Sequence, residues 1–362
     1  APGHATVLSG APPSQHGIIG NEWFDRRTRK SVYCAEDKSV EGVGITGASG
    51  QRSPKNFIGS NLADQMRLHF GSRVIGISMK DRGAILPAGQ DPIGAYWFDS
   101  GKGHFVTSTY YHEEMPSWVA AFNKEDRAGS FLGTTWSRLL PASEYDFKDD
   151  AEGERPLAGE KKPVFPHRIG KKTDKKRSAV MPTPFANQIL MEFAIAAIEA
   201  NGLGTGSQPD LLCVSFSPND YVGHSFGPNS HEVQDTTIRL DRQLNDFFNY
   251  LDKKIGLQNV LIQLTADHGV APNPEFAQSQ GIAGGRYKAA DHLLDLMGKL
   301  SERFGAAKYF LYPKFSSGQL IYDHDTLRKL NVPVTEIDRF IREWAFDTGI
   351  YQAAYSRDQL LD

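Results

Sequence analysis

The chain has 362 residues, 40% of them hydrophobic, and a formal net charge of −3. That length carries one large α/β domain with insertions, or two domains. The near-neutral charge argues against a nucleic-acid or membrane partner, and no run of about 18 apolar residues predicts a transmembrane helix. Cys34 and Cys213 are too few and too far apart for a disulfide framework or a CxxC metal site.

From the start of the chain, Pro2 to Leu8 reads as a short helix, with Pro2 near its first position and Gly10 near its end. NLADQMRLHF predicts an amphipathic helix, and RVIGIS, Arg73 to Ser78, a short apolar strand. A longer helix is expected over 184–200, a strand over 211–216, an amphipathic helix around 231–254 and another strand over 259–265, NVLIQLT. Such alternation argues for a parallel sheet with helices on both faces. Residues 95–165 are aromatic and polar without a clean period, and KKPVFPHRIGKKTDKKR at 161–177 is densely basic. The basic run reads as a solvated surface loop, with an anionic partner as the alternative. From about 283 onward helices and strands mix again.

Chemistry concentrates in two places. SPNDYVGH, 217–224, puts Asp220 and His224 just past the 211–216 strand. By itself the fragment reads equally as an Asx turn with an incidental histidine. The 259–265 strand, however, ends in Ala266-Asp267-His268-Gly269. Two Asp/His pairs, each past a strand of one parallel sheet, would share the edge where functional groups of open α/β sheets collect. Carboxylate with neutral imidazole suits Zn²⁺. Two such ions about 4 Å apart can clamp the attacking and leaving oxygens of a displacement at phosphorus. Alone, Lys80-Asp81-Arg82 reads as an exposed charged turn, and Asn21 as a turn residue after Gly20.

Together, TADHG at 265–269, the DxxxH of Asp220 and His224, the opening APGHATVLSGAPPSQHGIIGNEWFD and SMKDRGAILPAG at 78–89 resemble the alkaline phosphatase superfamily. Within it they resemble the bacterial branch with a threonine nucleophile and a Lys-x-Arg phosphate clamp, among the type I phosphodiesterase/nucleotide pyrophosphatase-like sequences. The resemblance implies an α/β, alkaline phosphatase-like fold with a mostly parallel central sheet, helices on both faces and inserted cap segments. The segments expected are a core part over 1–94, a loop-rich cap over 95–178, a core part with metal ligands over 179–282, and a small α+β cap over 283–362, all one catalytic domain.

The same resemblance implies that Asp220 and His224 bind one zinc ion and Asp267 and His268 the other, and that Asn21, Lys80 and Arg82 contact the phosphoryl group. It implies a zinc-dependent phosphate monoester hydrolase working through a phosphothreonine on small phosphate esters, in the periplasm or secreted. Charge separates it from a phosphodiesterase or nucleotide pyrophosphatase of the superfamily, since Lys80 and Arg82 favour a dianionic monoester. A non-catalytic zinc- or phosphate-binding domain is the reading from another class. The nucleophilic threonine would directly precede Ala1, and an aspartate and a late histidine ligand find no match, since the surroundings of His324 are wrong. The chain is therefore expected to be a fragment cut at both ends and inactive alone. Thr6 and Ser9 lie too far along the first helix to replace the threonine, and His4 and His16 read as packing residues.

Overall fold

The computed structural model describes residues 1–314 and 318–361. Those residues divide into two compact units, Ala1–Trp23 with Val32–Gly284, and Phe24–Ser31 with Gly285–Asp362.

The first unit is built on a five-stranded sheet of β1 (Gly42–Val43), β2 (Val74–Ser78), β3 (Gly94–Asp99), β4 (His104–Ser108) and β5 (Leu211–Ser215), in the order β1-β4-β3-β2-β5. β2 pairs parallel with β3 and β5, while β3–β4 and β4–β1 are antiparallel. Four of the five strands thus run in one direction. Every residue of β2 is buried, which fits its continuous apolar run between two helical layers.

Alternation along β3 shows how both faces are covered. Tyr96 and Phe98 join one hydrophobic cluster with Phe105 and Phe193, while Ala95 and Trp97 join another with Ala84, Ile85 and Leu86. The first cluster is roofed by α4 (Pro184–Asn201), whose Phe193 stacks on Phe105 with centroids 3.7 Å apart. The second is roofed by α1 (Pro2–Ser9) and α3 (Asp81–Ala88). Gly76 permits that second contact, because a Cβ there would stand 2.0 Å from the Ala84 carbonyl oxygen. Asn61 caps α2 (Leu62–Phe70) in a reciprocal box with Asp64. After β5 come α5 (Pro218–Phe226) and α6 (His231–Lys254).

Two expectations need correction. Residues 259–265 belong to no strand. A strand exists through its ladder, and this segment joins no ladder among the described residues, with Leu261 98% and Leu264 78% exposed. Residues 95–178 are not a uniform insertion either. Their first part supplies β3 and β4 of the central sheet, because the aromatic residues that blur its period face two buried layers rather than one.

The rest of that stretch, with the start of α6, buries a polar centre. Asp235 is fully buried. It accepts from Trp136 Nε1 at 2.6 Å, Leu139 N at 2.7 Å, Tyr145 Oη at 2.5 Å and Arg239 Nε at 2.6 Å. Asp235→Ala would remove the shared acceptor of all four donors and leave Trp136 Nε1 buried without its partner. It is expected to lower the unfolding free energy by about 3–5 kcal/mol, seen as a reduced urea midpoint. A loss below about 1 kcal/mol would mean that the carboxylate is not the organising group.

The second unit packs α7 (Ala289–Phe304) and α8 (Val334–Asp347) with the antiparallel pair β6 (Phe310–Lys314) and β7 (Gln319–Tyr322). Leu296, Leu300, Phe310, Ile337, Ile341 and Trp344 form its core. Arg29, from the short segment that joins this unit, lies 3.6 Å from Asp323. Of the segment expected at 283–362, residues 315–317 and 362 lie outside the described residues. No helix among the described residues is long and apolar enough to cross a membrane.

Candidate active site

The site lies where β2 and β5 end. Ser78 closes β2 and Ser215 closes β5. Ser78 Oγ bonds Ser217 Oγ at 2.7 Å and accepts from Lys80 N at 3.1 Å, while Ser215 Oγ meets His4 Nε2 at 3.0 Å. This hydroxyl layer ties α1 and the turn before α3 to the strand ends. Gly83 fits over it because a Cβ there would come within 2.6 Å of Ser78 Oγ.

Asp220 and His224 are not in a loop past the strand. They sit one turn apart on α5, with His224 Nε2 3.5 Å from Asp220 Oδ1. Pro218 near the first helical position starts the helix there. Asp267 and His268 follow the unpaired 259–265 segment, yet they reach the same place. His268 Nε2 lies 3.6 Å from Asp220 Oδ1 and 3.7 Å from Asp267 Oδ1. Asp267 is fixed from the other side by His4, whose Nδ1 is 3.0 Å from Asp267 Oδ2. α1 also presses on the Asp267 backbone, where a Cβ on Gly3 would fall 1.7 Å from the Asp267 carbonyl oxygen.

Lys80 immediately precedes α3 in extended conformation. Its ammonium forms a short ion pair with Asp220 Oδ2 and stands 4.5 Å from the centre of the Tyr221 ring. Arg82 points elsewhere. Its guanidinium donates to Tyr33 Oη at 3.2 Å, and that hydroxyl donates to Asp81 Oδ1 at 2.5 Å. Arg52 Nε, 2.5 Å from Asp81 Oδ2, completes this network. Asn21 is exposed, and its Oδ1 accepts from the Ala1 nitrogen at 2.9 Å. Asn21 therefore stands beside the start of α1.

The electrostatics favour ionised carboxylates. Burial pushes the Asp220 carboxyl up, but the hydrogen bond and charge of Lys80, with the coulombic effect of His224 and His268, outweigh it and leave it below its ordinary value. The His4 hydrogen bond holds Asp267 well below the usual carboxylate range against the effect of burial. Burial and the Asp81 charge push the Tyr33 phenol far above its ordinary value, so it remains a donor. Thr6 Oγ1 is 3.1 Å from His16 Nε2, which occupies both groups in packing.

Two carboxylates and two imidazoles are therefore gathered at one edge. Their 3.5–3.7 Å separations approach the edge of a tetrahedral zinc site, about 3.4 Å for bonds of about 2.0–2.1 Å. The donor types and pairwise spacing fit a divalent cation. Among the described residues, however, no three His, Cys, Asp or Glu side chains form a group able to hold a metal ion.

His4, Tyr33, Arg52 and Ser215 carry no assignment to this site in the sequence. His4 has the clearest local signal, since it stands in the first turn of α1, beside Gly3. The others are joined to the site only across the fold.

A strand-end cluster of this composition on a mostly parallel sheet defines a class, and comparison with known proteins gives its name. Residues 1–319 match the Type I phosphodiesterase / nucleotide pyrophosphatase family, and the chain belongs to it. It is 44% identical over 310 residues to alkaline phosphatase PafA of Elizabethkingia meningoseptica, covering 84% of this chain and 57% of that protein. It is 41% identical over 340 residues to alkaline phosphatase PhoV of Synechococcus elongatus, covering 92% and 61%. The chain thus spans about three fifths of the length of these curated relatives. The crystal structure of wild-type PafA superposes with a TM-score of 0.92 at 38% identity, over 99% of this chain and 69% of that one. The fold is that of an alkaline phosphatase. A second solved PafA structure carries substitutions of a threonine, an asparagine, and a lysine and arginine two residues apart.

Proposed function

We propose that this chain provides the phosphate-binding and metal-binding core of a phosphate monoester hydrolase of the alkaline phosphatase type, acting on small phosphate esters. The observation that carries the reading is the convergence of Lys80, Asp220, His224, Asp267 and His268 at the ends of β2 and β5. The relatives named alkaline phosphatases support it, as does the Lys-x-Arg spacing shared by Lys80 and Arg82 with the substituted PafA.

In this reading Asp220 with His224, and Asp267 with His268, hold two divalent ions, zinc by their mixed oxygen and nitrogen donors. Such ions supply Lewis acidity at the phosphoryl oxygens. The chain's own groups position the ester. Lys80 and Arg82 carry the positive charge that a phosphoryl transition state demands on its equatorial oxygens, and Asn21 offers an amide donor beside the start of α1. The attacking oxygen is a threonine adjoining that helix start, giving a phosphothreonine that water then hydrolyses. His4 orients Asp267 as outer partners of metal ligands do. Periplasmic or secreted location belongs to the same proposal and rests on the resemblance.

The family description keeps a diesterase reading in view. The Lys-x-Arg cations favour the monoesterase reading, because a monoester dianion gains more from two positive charges than a diester monoanion does. The test uses the longest natural form of the protein. Aryl phosphate hydrolysis is expected to exceed hydrolysis of the matching diester, to fall on chelation and to return with Zn²⁺. A preference for the diester, or full activity after exhaustive chelation, would overturn the reading.

A further inference from the structure

The basic run at 161–177 takes no part in the site described above. It holds eight lysines and arginines against one acid, Asp174, in a chain whose net charge is −3. In the structure it is not a loose charged loop. Arg177 grips Asp126 with two bonds, 3.0 and 2.6 Å, and donates back to the carbonyls of Asp174 at 2.7 Å and Lys175 at 3.2 Å. The carboxylate of Asp174 accepts from the Lys171 N–H at 2.7 Å, and Gly133 N donates to Ile169 O at 2.7 Å. The later half of the run is thus fastened at Ile169 and at Arg177 and folded over its own turn.

That fastening leaves Arg168, Lys175 and Lys176 exposed along a cleft of about 410 Å³, whose lining also includes Asp174 and, as its apolar wall, Leu157, Ala179 and Pro182. Among the described residues the ion-paired lysines and arginines of the run are Lys162, with Asp150, and Arg177, with Asp126, and none of these three cations is among them. Arg177 is spent on the Asp126 carboxylate and on the carbonyls of Asp174 and Lys175, and the Asp174 carboxylate on the Lys171 N–H. Holding like charges together in fixed backbone costs free energy that a flexible loop would avoid by spreading them. An anion with several charges, each separated by a few ångströms, would offset that cost. Arg168 offers a planar fork and the lysines mobile point charges, the combination that suits phosphate oxygens.

We propose that this cleft is a second anion site, separate from the candidate active site, which takes short phosphate-bearing oligoanions through Arg168, Lys175 and Lys176. Its size matches a small ligand, and its apolar wall accommodates an organic substituent on the phosphate chain.

The experiment is calorimetric titration of the longest natural chain with inorganic tripolyphosphate, in a Lys80→Ala/Arg82→Ala background with chelator present. That background silences anion binding at the proposed active site, so the outcome does not depend on the catalytic reading. One bound tripolyphosphate per chain is expected, with affinity falling at least tenfold in Lys175→Ala/Lys176→Ala and again in Arg168→Ala. Lys253→Ala, a distant control on α6, should leave it unchanged. Circular dichroism melts of each variant separate lost binding from lost folding. Where Lys175→Ala/Lys176→Ala melts early, Lys175→Gln/Lys176→Gln replaces it, and the same tenfold loss is expected. No binding, equal loss in the Lys253→Ala control, or binding of long heparin or anionic lipid vesicles without tripolyphosphate would each overturn the proposal.

Discussion

Asp267→Ala, introduced into the longest natural form of the chain, is expected to cut kcat/KM on an aryl phosphate far beyond the roughly 10–100-fold that loss of an outer partner of a metal ligand costs. Asp267 is held ionised by His4 at 3.0 Å and faces His268 on its other oxygen. Removing it deletes a donor and leaves His4 without its carboxylate. His4→Gln tests the division of roles, because it keeps Asp267 and takes away only its orienting partner. It should fall within that roughly 10–100-fold range and be partly rescued by added Zn²⁺, whereas Asp267→Ala should not be rescued. Elemental analysis is the second readout, and His224→Ala should resemble Asp267→Ala in metal content. If either alanine variant keeps its full complement of metal, the assignment of these residues as ligands is wrong.

Lys80→Ala combined with Arg82→Ala should reduce monoester hydrolysis by about 10²–10³-fold, the scale of removing fixed donors from a charge-developing transition state. Diester hydrolysis should fall much less. The two residues are not equivalent in the fold. Lys80 neutralises Asp220 directly, so Lys80→Ala also leaves that carboxylate without its cation. Arg82 is aimed through Tyr33 and Asp81. Tyr33→Phe should therefore reproduce part of the Arg82→Ala defect as a raised KM, with little effect on metal content. Comparable loss on monoester and diester would remove the charge argument for a monoesterase.

Much of the molecule is legible in the sequence. The α6 helix is expected around 231–254 and spans His231–Lys254, because its apolar period is strong and Ser230 supplies a side-chain cap. β2 and β5 announce themselves as short apolar runs ending in polar residues, and Pro2 and Gly10 mark α1. These features depend on local chemistry, on backbone preference and on which side chains shun water. The types of residue at the site are also readable, since Asp/His pairs and Lys-x-Arg have chemistry independent of their surroundings.

Tertiary structure alone decides how those groups meet. Nothing near Lys80 in the sequence indicates that its ammonium lies on Asp220, 140 residues away, or that Arg82 turns instead to Tyr33. The apolar run at 259–265 has the composition of a strand, but composition cannot supply the neighbour that a ladder requires, and Leu261 stands exposed. The expected break at 95 falls inside the sheet because Ala95, Tyr96, Trp97 and Phe98 are buried on both faces, so the alternation that marks a half-buried strand is absent. His4 can be given a packing role from its position in α1, but its contact with Asp267 exists only because Gly3 lets that helix touch the backbone of a segment more than 260 residues further along. Local preferences fix the elements; long-range contacts, which no window of sequence contains, fix the site.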